Sequence, residues 1–349
     1  MANPFSPITI NSLHAKNRII RSATNDHLGN TDGTVSDAQI EMYDQLARNE
    51  VGTIITGHLS VDPDIANRAD IAQLSIGDND KIKGLKRIPE KIHQYGALAV
   101  AQISHAGPRG LNPIDFNELS TDQMAQIGEW FVDAAVRAKE AGFDAVQIHA
   151  AHWYLFASVL NADLNRRADR YGGDAAGRIS IVTDIVSAVR QKCGKDFGIF
   201  VKINAHNTLP GVDDEDMLVD YARALYNAGI DHLEVSGMSF AKQPREAECY
   251  FIDAASAVKK ALPGLTVSLV GGIYSRETID RTLSAVDMAS MARTLLTQPD
   301  FLVKMRDEDL QKSRCIRCNK CFELFKTKYE RCIFGPVNPK LEETFSHNN

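Results

Sequence analysis

The sequence has no uninterrupted apolar run of the length needed to cross a bilayer, so no membrane partner is expected. It has no excess of positive charge either. A formal net charge of −6 leaves no basic face to neutralise phosphates, which argues against nucleic acid as the main partner. The opening Met1-Ala-Asn-Pro-Phe-Ser6 lacks the basic head and apolar segment of a secretory leader, and a cytoplasmic protein is expected. Cysteine is scarce outside one place. Cys193 and Cys249 are isolated, whereas Cys315, Cys318, Cys321 and Cys332 crowd together. A disulfide framework would be odd in a large cytosolic chain, so the cluster reads first as a metal site. The 349 residues, 44% hydrophobic and 24% charged, suffice for a large core in one α/β barrel or two ordinary domains.

Strand-like and helix-like segments alternate regularly along the chain. Candidate strands are 18–24, 52–59, 98–103, 144–149, 198–204, 232–235, 266–270 and 286–291. The clearest helix spans 121–141, where Ser120 and Gln123 have the spacing of a capping box and Met124, Ile127, Phe131, Ala134, Ala135 and Ala138 share one face. A second helix is expected to open at the acidic Asp213-Asp214-Glu215-Asp216 and to stop near Gly229. The segments 141–149 and 228–236 share one grammar: helix end, glycine, apolar residue, Asp, then an alternating strand. Eight such units over about 290 residues predict an α/β fold, a closed (β/α)8 TIM barrel with its chemistry at the strand C-termini. The competing open doubly wound sheet needs a glycine-rich turn after the first strand, and Arg21-Ser-Ala-Thr-Asn25 has no glycine. The expected organisation is therefore a barrel over residues 1–307 and a cysteine-bearing extension over 308–349.

The richest stretch is His149-Ala-Ala-His152-Trp-Tyr154, which brings two imidazoles and a phenol to the mouth of the fourth strand. A single histidine there is more often a structural group, but a trio at a strand end points to chemistry. At the seventh and eighth strands, Gly271-Gly272 offers bare backbone amides and Arg293 a bidentate clamp, the make-up of a phosphate site. The alternative is a glycine turn beside a solvated arginine.

Taken in order, these pieces resemble the Old Yellow Enzyme family of FMN-dependent oxidoreductases, from about Pro7 to Pro299. The specific matches are Ile148-His149-Ala-Ala-His152-Trp-Tyr154-Leu155, then Asn165-Arg166-Arg-Ala-Asp169-Arg-Tyr171-Gly172-Gly173 through Arg178. Lys16-Asn17-Arg18, Gln102 with His105 and Gly107, and Ala292-Arg293 with Gln298-Pro299-Asp300 add to them. The resemblance implies FMN as cofactor, its phosphate at Gly271, Gly272, Ala292 and Arg293. It also implies Ser22, Ala23, Thr24 and Asn25 along one border, Gln102 at the pyrimidine edge, and Lys202 as a cation that favours the anionic reduced flavin, the alternative for Lys202 being a core-edge residue that snorkels to solvent. It implies NAD(P)H as reductant, an activated alkene such as an α,β-unsaturated carbonyl as small-molecule substrate, and a homo-oligomer as one assembly state. His149 and His152 are then expected to donate hydrogen bonds to the substrate oxygen, and Tyr154 to act as the general acid.

Three features depart from the pattern. Trp153 replaces a small residue beside the tyrosine, the segment 105–119 is short, and His58 stands at the mouth of strand two with His27 just past strand one. His58 is expected to touch substrate or flavin, or else to be an exposed polar residue. The spacing Cys315-Ile-Arg-Cys318-Asn-Lys-Cys321 and then Cys332 is similar to the iron–sulfur ligands of the 2,4-dienoyl-CoA reductase and trimethylamine dehydrogenase branch. A [4Fe–4S] cluster, zinc and no metal are the open alternatives. Only seventeen residues follow Cys332, so that branch's second domain is not expected, and a ferredoxin- or flavodoxin-like donor is the implied partner. Arg314, Arg317, Lys320 and Lys326 would steer such a carrier or form a solvated face.

Overall fold

A computed structural model describes residues 2–207, 215–238, 242–324 and 331–335. The chain begins with an antiparallel hairpin of β1 (Ile8–Ile10) and β2 (Leu13–Ala15). Then follow β3 (Ile19–Arg21), β4 (Thr53–Ile55), a two-residue β5 (Leu59–Ser60) and β6 (Leu98–Ser104). The second half supplies β7 (Ala145–Ala150), β8 (Gly198–Asn204), β9 (His232–Ser236), β10 (Thr266–Val270) and β11 (Met288–Met291). All pairings from β3 onward are parallel, and β11 pairs β3 while β4 pairs β6, so eight strands close on themselves. The fold is a (β/α)8 barrel. The third and later expected strands lie within two residues of their observed bounds, whereas the first two were drawn too long. The regular ladder stops at Arg21 and at Ile55, beyond which single bonds from Ser22 N–H to Met291 O and from Thr56 N–H to Val100 O carry the chain on, and Leu59 falls in the separate β5.

Local sequence accounts for the repeat. Gly142 and Gly229 adopt φ of +92° and +108°, conformations that end the preceding helices in the left-handed manner glycine allows. The aspartates two residues on then do structural work. The Asp144 carboxylate accepts the Ala99 N–H at 2.7 Å, and the Asp231 carboxylate accepts the Ile199 N–H at 2.8 Å. Asp287 does the same for the Val267 N–H at 2.9 Å. Each tethers the start of one strand to its neighbour and so helps fix the register on which the site depends.

The helix Thr121–Glu140 begins with the expected capping box at Ser120 and Gln123. The helix Glu215–Ala228 ends as expected, while Asp213 and Asp214 lie outside the described residues, as does Lys326. The larger apolar cluster lies between strands and helices. A second cluster joins Ile10 of the hairpin to Ile20, Ile55, Val100, Phe200 and Met288, plugging the N-terminal end of the barrel. Only the opposite end is left for polar chemistry.

Candidate active site

At the C-terminal end of the strands lies a cavity of about 540 Å³. Ser22, Ala23, Thr24 and Asn25 border it from the end of β3, Lys202 from β8, and Gly271 and Gly272 from the end of β10. Ala292 and Arg293 close one end; His27, Asp70, Arg109, His152, Trp153 and Tyr154 line the other. The chain thus gathers most of the expected site residues around one space. Gln102, His58 and His149 are buried and do not line it.

The floor is a buried polar chain set by strand register. Gln102 pairs with Gln147 across β6 and β7, and its amide donates to Gln147 Oε1 at 2.7 Å. The Gln147 amide donates to Glu234 Oε2 at 3.2 Å, and the same oxygen takes the Lys202 ammonium at 3.2 Å. Lys202 also donates to Ser22 Oγ at 2.9 Å. Burial pushes the Glu234 carboxyl up, but the Lys202 charge and hydrogen bonds from Ser290 and Ser22 outweigh it, so the group stays below the ordinary range. The cation expected at Lys202 is therefore one half of an ion pair. Sequence reasoning missed Glu234, although an acid set between the apolar Leu233 and Val235 of a strand was a visible signal.

At the other end, His152 and Trp153 adopt left-handed φ of +62° and +67°, an uncommon turn for two bulky residues. It carries the chain from β7 to the helix Leu155–Leu160 and sets Tyr154 at that helix's start. The His149 ring lies 5.3 Å from that of His152 and 4.9 Å from that of Tyr154, between centroids. Burial, reinforced by the Lys202 ammonium, holds His149 and His152 well below the ordinary histidine range, so both stay neutral. His152 Nε2 meets Ser236 Oγ at 2.8 Å, whereas His149 Nδ1 is buried with no hydrogen-bond partner. Burial and the Asp70 carboxylate push the Tyr154 phenol up to about 12. Its oxygen lies 3.3 Å from His58 Nε2. His27 and Asn25 both turn to Asp70, at 3.2 and 2.6 Å.

At the Arg293 end the C-terminal extension enters. Arg293 donates to Asn319 Oδ1 and, at 3.4 Å, to Tyr250 Oη. Cys315, Arg317 and Phe322 form part of the cavity wall, and the Arg317 guanidinium lies 4.0 Å above the Tyr274 ring. Arg317 itself has φ of +56°, and its Nε is buried with no hydrogen-bond partner. Gly271 and Gly272 have φ of +136° and +69°, and a Cβ on Gly272 would come within 2.7 Å of the Cys249 nitrogen. These residue types fit an elongated ligand with a phosphate at one end: close-approaching glycine amides, a fork-shaped cation and orphaned buried nitrogens.

All four cysteines of the extension line a second, small cavity of about 20 Å³, which shares Arg293, Cys315 and Arg317 with the first. Among the described residues, no three His, Cys, Asp or Glu side chains stand in the arrangement of a metal site. The segment 165–178 has a structural role: Asn165 donates to Val159 O and Tyr171 O, and Arg178 to Tyr221 Oη. Among the described residues no helix is long and apolar enough to cross a membrane.

The NADH:flavin oxidoreductase / NADH oxidase family model matches residues 4–112 and 111–312. The chain belongs to this family. Within the wider set of NADH:flavin oxidoreductase relatives it is 30% identical over 367 residues to the NADH oxidase of Thermoanaerobacter brockii, covering 96% of this chain and 56% of that protein. It is 27% identical to the 4,4'-dithiodibutanoate disulfide reductase of Rhodococcus erythropolis, with 94% of each chain covered. The chain spans 56% and 53% of the length of the NADH oxidase and of the metal reductase of Desulforamulus reducens. Among solved structures, 2-naphthoyl-CoA reductase superposes with a TM-score of 0.87 at 20% identity, over 98% of this chain and 58% of that one. Morphinone reductase does so with a TM-score of 0.75 at 22% identity, over 89% and 91%. These likenesses speak to the fold.

Proposed function

We propose that this protein is an FMN-dependent oxidoreductase that reduces activated alkenes, α,β-unsaturated carbonyl compounds foremost, with NAD(P)H as reductant. One observation carries the reading: a single cavity has anion-binding groups at one end and uncharged proton and hydrogen-bond donors at the other. Gly271, Gly272, Ala292 and Arg293 would hold the phosphate, with Ser22, Ala23, Thr24 and Asn25 along one border and Lys202 nearest the ring system, while Gln102, bound to Gln147, lies behind the cavity wall. When bound, FMN supplies a hydride carrier that NAD(P)H refills. His152, kept neutral and lining the cavity, donates a hydrogen bond where negative charge gathers on the substrate oxygen, worth about 3 kcal/mol when preorganised, while the buried His149 packs behind it against His152 and Tyr154. Tyr154 remains protonated at neutral pH and delivers its proton to the substrate α-carbon.

Anaerobic titration with NADH or NADPH tests this. The flavin band should bleach directly and return on adding 2-cyclohexenone; a colourless, folded preparation, or bleached flavin that no enone reoxidises, would sink the reading.

A second reading has a specific observation behind it, the cysteine-lined cavity that shares three residues with the larger one. Four thiolates suit a [4Fe–4S] cluster, with zinc as the other soft-ligand choice. On this reading the protein is an electron-transfer or flavin-holding subunit served by a ferredoxin- or flavodoxin-like partner. Flavin that bleaches only with a reduced carrier protein would favour it.

A further inference from the structure

We infer that His58 is a positioning residue for the proton donor: it donates its Nε2–H to the Tyr154 oxygen and so leaves the phenolic proton free for the substrate. This rests on the reading of Tyr154 as the acid. Nothing in the sequence pairs the two residues, which stand 96 positions apart and meet only through the barrel.

The argument is one of hydrogen-bond accounting. Gln73 Oε1 accepts the Ala69 backbone N–H at 2.7 Å. Its Nε2 donates to the His58 carbonyl oxygen at 3.1 Å. Turning the amide over would set oxygen against oxygen and N–H against N–H, so two backbone groups fix its orientation. The same Nε2 lies 2.6 Å from His58 Nδ1. An amide nitrogen has no lone pair to offer, so His58 Nδ1 must be the acceptor. The Ser104 hydroxyl, 2.9 Å from Nδ1, rotates to suit.

With Nδ1 unprotonated, a neutral imidazole carries its hydrogen on Nε2. That nitrogen faces Tyr154 Oη at 3.3 Å, with the rings edge to face at 4.8 Å between centroids. Burial lowers His58 to about 4, so the neutral form is the one present at working pH. The phenol oxygen is thus an acceptor toward His58, and its own hydrogen is not spent there. The opposite tautomer would make Tyr154 donate to His58 and lock the proton away from the cavity.

The consequence for the reaction is directional. As a hydride arrives at the β-carbon, the alkene π bond opens and a C–H bond forms at the α-carbon with the Tyr154 proton, breaking the O–H bond. The two electrons come from NAD(P)H by way of the flavin. The phenolate left behind accepts a stronger, charge-assisted hydrogen bond from His58 Nε2 until solvent returns a proton. His58 does not itself deliver a proton.

The test times the oxidative half-reaction of the holoenzyme by stopped flow, mixing NADH-reduced protein with 2-cyclohexenone in H₂O and D₂O. His58→Leu should slow reoxidation about tenfold, the scale of one charge-assisted hydrogen bond, and enlarge the solvent isotope effect. His58→Gln, which keeps an N–H donor at similar reach, should recover most of the rate and the normal isotope effect. If His58→Leu reoxidises like the parent while Tyr154→Phe is slow, this inference falls and the acid assignment stands. If Tyr154→Phe is also unimpaired, the acid assignment falls and takes the inference with it. Should the leucine variant not fold, ¹⁵N spectra of histidine-labelled parent holoenzyme decide the matter: a protonated Nδ1 on His58 overturns the proposal, and a protonated Nε2 supports it.

Discussion

The Lys202 ammonium lies 3.2 Å from the Glu234 carboxylate, at adjacent register positions of β8 and β9, with the two side chains 2% and 0% exposed. A buried pair of this kind adds little net stability, but removing one partner strands the other's charge. Lys202→Met should therefore destabilise the flavin-free protein by about 3–5 kcal/mol in urea titrations, and Lys202→Met with Glu234→Leu should recover most of that. Equal losses in the single and double variants would show that the pair is not coupled.

Tyr154→Phe removes the acid without disturbing the phosphate end. Flavin content should persist while steady-state turnover of enones drops by about two orders of magnitude, the usual scale of general-acid catalysis. Unchanged turnover would remove Tyr154 from the reaction.

Gly272 sits at φ of +69°, with backbone on the side where a Cβ would project. Gly272→Ala should cost about 1–2 kcal/mol of backbone strain and weaken FMN binding about tenfold, read by fluorescence quenching on titration of FMN into the apoprotein. An alanine variant with parental affinity would move the phosphate elsewhere.

Acid sensitivity follows from the buried imidazoles. Burial holds His58 at about 4, against the ordinary 6.5 of an unfolded chain. The unfolded state therefore takes up the proton first. His58's contribution is fully present above about pH 6.5 and is lost as pH falls to about 4, by roughly 3 kcal/mol for this residue alone. His149, His152 and His232 are shifted in the same direction and add to the slope. Urea midpoints measured in steps from pH 7.5 to about 4 should fall steadily; a flat profile would mean the imidazoles are solvated.

Anaerobically purified protein should carry iron and acid-labile sulfide, and Cys318→Ala should lose both. Zinc in their place would reassign the four thiols to a structural ion, and absence of both from a fresh anaerobic sample would leave them unligated.

Much of the scaffold was readable in advance because its causes are local. Gly142, Gly229 and the capping box at Ser120 act within a turn of their own position, and β8 and β10 coincide with their expected spans. The short β3 and β4 were less legible, since extended loop and paired strand share one alternating pattern. His149, His152 and Tyr154 were found together because six residues hold them. The partners of Lys202 and His58 were not, because Glu234, Gln73 and Ser104 reach them only once the barrel closes. The bulk of Trp153 left two outcomes open, a narrowed pocket or a displaced Tyr154; the structure puts Trp153 in the cavity wall, on a left-handed turn that keeps Tyr154 at the cavity. Gln102 was expected at the pyrimidine edge; its amide is bound to Gln147 instead, an acceptor that lies on the next strand and so was out of view in the sequence.

Cys315, Arg317 and Phe322 wall the same space that Ser22 and Thr24 border from the start of the chain. The cavity therefore has no finished shape until both extremes of the described polypeptide have come to rest against each other. Any ligand that grips that shape must then stabilise the C-terminal extension along with the barrel.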